Sequence, residues 1–93
     1  MDSRSAAHVL NQIGSLLELS RAPRFRARAF QKAARSILAL GADDLRPLLE
    51  SGELKRAPDV GPATIAIIRE LIETGESSYL QRLSEGTPRG LIQ

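Results

Sequence analysis

Apolar residues recur at intervals of three and four along almost the whole chain, and glycine or proline stands where that rhythm breaks. Such spacing gathers apolar side chains on one side of an α-helix, and no stretch shows the every-second-residue alternation of a half-buried strand. Ala6, Val9, Leu10, Ile13, Leu16 and Leu17 predict a first helix from about Ser5 to Leu19. Pro23 suits the first turn of a second helix, which reaches Leu40 and stops at Gly41. Asp43 is the expected N-cap of a short third helix that takes Pro47 near its start and ends at Gly52. A fourth spans roughly Pro62 to Thr74 and closes on Gly75, with Ile65, Ile68, Leu71 and Ile72 expected inward. A last short helix begins at Ser77 or Ser78, turns Leu80 and Leu83 inward and ends at Gly86-Thr87-Pro88. The expected fold is therefore all-α, a compact bundle of four to five short helices. With 93 residues the chain makes one domain over 1–93 with one modest core, shared by Phe30, Ile37, Ile65, Ile68 and Leu71.

Several chemistries are excluded by what the chain lacks. Without cysteine there is no disulfide, thiolate metal site or cysteine nucleophile, and the single histidine, His8, rules out a histidine metal cluster. His8 falls on the polar side of the first helix, and the acids Asp43-Asp44 suit capping and the helix dipole better than catalysis. No apolar run exceeds four residues, as in Ile65 to Ile68, and the start Met1-Asp2-Ser3-Arg4 lacks the apolar stretch of a signal peptide. A soluble cytoplasmic domain with no membrane partner is expected.

Net charge is only +2, but the charges are segregated. Between Glu18 and Asp43 stand Arg21, Arg24, Arg26, Arg28, Lys32 and Arg35 and no acid, whereas the acids gather later in the chain. At a hundred degrees per residue, Arg24, Arg28, Lys32 and Arg35 project onto one side of the second helix, opposite Phe30, Ala33, Ala34 and Ile37. Like charges one turn apart destabilise a lone helix, so a single-signed stripe is best explained by an anionic partner such as DNA backbone rather than by simple solvation. Arg26 lies instead on the apolar side, facing the fourth helix. There it either snorkels to the helix edge, pairs with an anion between the two helices, or forms an ion pair with Asp59 or another acid.

Residues from about 53 to 74 read as short helix, tight turn, long helix. Gly61 allows backbone to approach a neighbour closely, and the amides of Ala63 and Thr64 would point out of the fourth helix toward an anion. Many helical proteins join helices in this way, so the spacing alone decides little.

Resemblance to a known family sharpens this reading. Ala57-Pro58-Asp59-Val60-Gly61, followed by Ala66 and Ile68, resembles the helix-hairpin-helix motif. Phe25-Arg26-Ala27-Arg28-Ala29-Phe30-Gln31-Lys32-Ala33-Ala34 resembles a signature of bacterial family-X DNA polymerases that carry a PHP domain. Leu16-Leu17-Glu18-Leu19, Glu70-Leu71-Ile72-Glu73-Thr74-Gly75 and Pro88-Arg89-Gly90-Leu91 follow the family's order and spacing. The resemblance implies a fold similar to the N-terminal domain of DNA polymerase beta, which holds gapped DNA and its 5′-phosphate without reading sequence. It places the phosphate pocket at Arg26 and Phe30, where Phe30 keeps the ring of a family tyrosine and loses its hydroxyl. It places backbone contact at the hairpin, Pro58, Asp59, Val60 and Gly61, with the amides of Ala63 and Thr64, often through a sodium or potassium ion. No other cofactor is implied, and the remainder of a longer polymerase is the expected partner in the same polypeptide.

Two positions depart from the family's pattern. Asp59 replaces the first hairpin glycine, so its carboxylate either helps to hold a cation or marks a hairpin that has lost DNA binding. Ala63 and Ile67 stand where relatives carry the lysines of the deoxyribose-phosphate lyase reaction, which leaves Lys32 and Lys55 as the chain's only lysines and neither in place. The leading expectation is thus a non-catalytic DNA-holding domain of a repair polymerase, associated with the nucleoid. A protein-interaction module with a silenced hairpin is the alternative, and a residual lyase using Lys55 or Lys32 comes third.

Overall fold

The computed structural model describes residues 1–86, so the Pro88-Arg89-Gly90-Leu91 stretch and the Thr87-Pro88 stop lie outside the described residues. In chain order come α1 (Ser3–Leu19), α2 (Arg24–Leu40), α3 (Arg46–Ser51), a single 3₁₀ turn (Leu54–Arg56), α4 (Pro62–Thr74) and α5 (Ser78–Gly86). There is no strand among the described residues.

α1 and α2 form an antiparallel pair with the most extensive helix–helix packing in the molecule. Ala6, Leu10, Ile13 and Leu17 meet Ala27, Phe30, Ala33, Ala34 and Ile37 in the core. The helices approach closely at Gly14, where a Cβ would stand 3.0 Å from Gln31 Cγ and 3.3 Å from the Ala27 carbonyl oxygen. α2 ends as expected on Gly41, and Gly52 and Gly75 close α3 and α4 in the same left-handed conformation. The segment after α2 is tied back to the N-terminus. Buried Ser3 donates its amide to the Ala42 carbonyl at 2.9 Å and accepts the Ala42 amide on Oγ at 2.9 Å, while Leu45 N donates to the Met1 carbonyl at 2.7 Å.

Two expectations need correction. α3 starts at Arg46 rather than beside Asp43, and Asp44, not Asp43, accepts the Arg46 amide, at 3.1 Å. The inner face of α4 is rotated, with Thr64, Ile67, Ile68 and Leu71 buried and Ile65 and Ile72 only half-buried at the core's edge. Contacts with the 3₁₀ turn, α1 and α3 set that rotation, and helical periodicity alone cannot weigh them. On the last helix, Ser77 resolves the open start. It is buried, and its Oγ accepts the Leu80 amide at 3.2 Å, while Glu70 Oε1 accepts Ser78 N and Oγ at 3.0 and 3.2 Å. α4 thereby fixes the start of α5, which packs against α1.

Candidate nucleic-acid interface

Asp59 adopts φ 62°, the left-handed conformation that a hairpin of this kind requires at its first glycine. The chain then extends through Gly61 and enters α4 at Pro62. Ile65 N donates to the Gly61 carbonyl at 3.0 Å, closing the first helical turn. The amides of Ala63 and Thr64 precede that bond, and the N-cap Gly61 offers no side chain to cap them. They give α4 an electropositive start. The Thr64 side chain turns into the core, whereas Ala63 is exposed.

A cleft of about 820 Å³ opens in front of this helix start, between the hairpin, α2 and α5. Arg26, Phe30, Asp59, Val60, Gly61, Ala63 and Thr64 all line it, so one surface collects the expected pocket residues and the hairpin except Pro58, which lies at a separate groove with Arg56 and Ala57. Phe30 is buried in its floor and packs on Tyr79 with ring centroids 6.0 Å apart and a tilt of 39°. Arg26 is exposed and lines the cleft, and no salt bridge joins it to Asp59 among the described residues. Ala63 and Ile67 also line the cleft.

The stripe on α2 lies elsewhere. Arg24, Arg28, Lys32 and Arg35 are all exposed, but none lines the cleft. Arg24 and Arg28 face a groove of about 470 Å³ beside the end of α1, together with Arg21, Glu18 and Gln31. The basic residues of α2 therefore serve two surfaces on different sides of the helix.

Four residues with a bearing on the cleft and hairpin escape sequence reasoning. Arg82 and Tyr79 reach the cleft from α5, and only the packing of α5 brings them there. Phe25 borders the cleft and is 71% exposed. On the other side of the hairpin, Arg69 joins Lys55 beside Gly61 and Pro62. Charge at Arg69 one helical face away from the hairpin was a readable signal.

Cation binding has limited support from side chains. Among the described residues no cluster of three or more acids or histidines stands ready to hold a metal. A cation at the hairpin would rest on backbone carbonyls, with Asp59 as the carboxylate lining the cleft. No helix among the described residues is long and apolar enough to cross a membrane.

Residues 1–77 match the family model of a helix-hairpin-helix domain. Over 92 residues, 99% of the chain, the sequence is 34% identical to the DNA polymerase/3′-5′ exonuclease PolX of Bacillus subtilis (strain 168). The chain spans 15% of that relative's length. No solved structure matches it.

Proposed function

This chain belongs to the helix-hairpin-helix domain family, and from that premise we propose that it binds DNA backbone without sequence preference, as the N-terminal domain of a longer family-X repair polymerase. The observation that carries the reading is the cleft itself. It is lined by the exposed Arg26, which makes no salt bridge among the described residues, by Ala63 and Thr64 at the uncapped start of α4, and by Arg82. A guanidinium forks onto two phosphate oxygens while helix amides approach a third, and the ring floor of Phe30 and Tyr79 limits the water that competes for them. A terminal phosphate carries more charge than a diester and fits such a pocket better than internal backbone does. The ligand is accordingly the 5′-phosphate at a gap. Arg24, Arg28, Lys32 and Arg35 add contacts to backbone that fix position and carry no sequence information. The exposed ring of Phe25 offers a base a stacking surface at the cleft's edge.

The domain contributes binding rather than bond cleavage. Neither Ala63 nor Ile67 can form a Schiff base, Lys32 lies on the stripe, and Lys55 faces the far side of the hairpin.

Fluorescence anisotropy with matched gapped duplexes, one 5′-phosphorylated and one not, tests the proposal. Wild type favours the phosphorylated gap, and Arg26→Ala erases that preference while general affinity changes less. A wild-type domain with no salt-dependent DNA binding would sink the proposal and leave a protein-docking module in its place.

A further inference from the structure

The chain has three aromatic side chains, Phe25, Phe30 and Tyr79, and all three line the hairpin cleft. The rest of the buried core is aliphatic, so the rings are gathered on this one surface. They reach it from two elements, α2 and α5. Phe30 is buried in the floor, Tyr79 packs on it half-buried with centroids 6.0 Å apart, and Phe25 stands exposed at the border. Ala29, Val60, Ala63, Ala66 and Ile67 add further apolar wall. Polar side chains are few: Arg26, Asp59, Arg82 and the inward-turned Thr64.

A phosphate alone does not account for this lining. It is charged and hydrated on every side, and it gains from cations and amides rather than from rings and methyl groups. At about 820 Å³ the cleft also has the size of a site that encloses a whole small molecule. Such sites run to roughly 300–1,000 Å³ and are mostly apolar with a few placed polar groups. A nucleotide joins an anionic phosphate to a flat aromatic base. The phosphate suits Arg26, Arg82 and the amides at the start of α4, and the base suits the rings.

We infer that the cleft takes the whole 5′-terminal nucleotide at a gap, its base drawn out of the helix stack and laid against the rings of Phe25 and Tyr79. The inference rests on the reading of the cleft as a 5′-phosphate site and adds the base to its ligand. A base beside a gap is stacked on one face only, so it leaves the duplex at less cost than an internal base. Every base has an aromatic face, so stacking adds contact without reading sequence.

The test is fluorescence anisotropy with three 5′-phosphorylated gapped duplexes that differ only at the 5′-terminal position beside the gap. The nucleotide there is paired, mispaired through a changed template base, or replaced by a tetrahydrofuran abasic residue. Wild type binds the mispaired duplex most tightly, because its base is already free to leave. It binds the abasic duplex at least about fivefold more weakly than the mispaired one, the loss expected for one stacked base. Neither of these two has a terminal pair, so fraying alone predicts no difference between them. Phe25→Ala brings the mispaired duplex down to the level of the abasic one, whereas Phe25→Trp keeps the difference. Phe25 is 71% exposed, so the Tm of Phe25→Ala stays that of wild type and separates a ligand contact from a structural role. Equal binding of the mispaired and abasic duplexes by wild type overturns the inference and leaves the apolar wall to a protein segment. Full retention of the difference by Phe25→Ala overturns it as well. A wild-type domain that senses the base but not the 5′-phosphate would instead count against the phosphate reading alone.

Discussion

Asp59 carries the most information of any single residue at the hairpin. It holds φ 62°, where glycine is more stable, and it lines the cleft without a salt-bridge partner among the described residues. A left-handed conformation was legible in the sequence because Asp59 occupies a hairpin position that glycine usually fills, and aspartate tolerates that region better than most residues. Its effect on a ligand was not legible, since that depends on whether Arg26 neutralises it. No salt bridge joins Arg26 to it among the described residues, so the expected effect of the carboxylate is to repel phosphate. Asp59→Gly is expected to raise stability by up to about 1 kcal/mol in chemical denaturation and to tighten binding of phosphorylated gapped DNA in anisotropy. Weaker binding by that variant would mean that the carboxylate holds a cation for the DNA. Ser3 makes the complementary point about what a sequence hides. Nothing in its neighbours announces a buried serine, yet it exchanges two hydrogen bonds with Ala42, 39 residues away.

Among the elements, α2 does two jobs, and its sequence shows both. One side supplies Ala27, Phe30, Ala33, Ala34 and Ile37 to the core, and the rest carries cations to two surfaces. Small residues on the buried side, with Gly14 opposite, let α1 and α2 approach closely, and Phe30 is the large side chain that joins this pair to Tyr79 of α5. Phe30→Ala is therefore expected to cost about 3–5 kcal/mol in urea unfolding, together with displacement of α5 from the cleft. A stable domain with unchanged unfolding midpoint would mean that Phe30 bears little of the core. α1, α2 and the glycine ends of α2, α3 and α4 were legible because each combines a local periodic pattern with a local stop signal. The rotation of α4 toward Thr64 and Ile67 was not, nor was the late start of α3, because contacts between distant elements decide both. The same reason hid Arg82 and Tyr79, whose place in the cleft depends on Glu70 and Ser77 fixing the start of α5.

At the scale of the whole molecule, a net charge of +2 understates the electrostatics, because six cations and no acid stand between Glu18 and Asp43. A counterion is released for each phosphate that a cation neutralises, so the salt dependence of binding counts contacts rather than net charge. If three or four cations engage phosphate at once, log affinity for gapped DNA falls against log salt with a slope of about −2 to −4, set by how much of the contacted strand is single. Arg28→Ala and Arg35→Ala should each flatten that slope by about one unit and weaken binding similarly for any sequence. Arg26→Ala acts at a terminal phosphate, so its effect on slope should be large with a phosphorylated gap and small with an unphosphorylated one. The contrast between these variants separates the two surfaces of α2 in a single set of salt titrations. Were all three to change the slope equally on both substrates, the cations would form one diffuse field, and the distinction between cleft and stripe would have no energetic content.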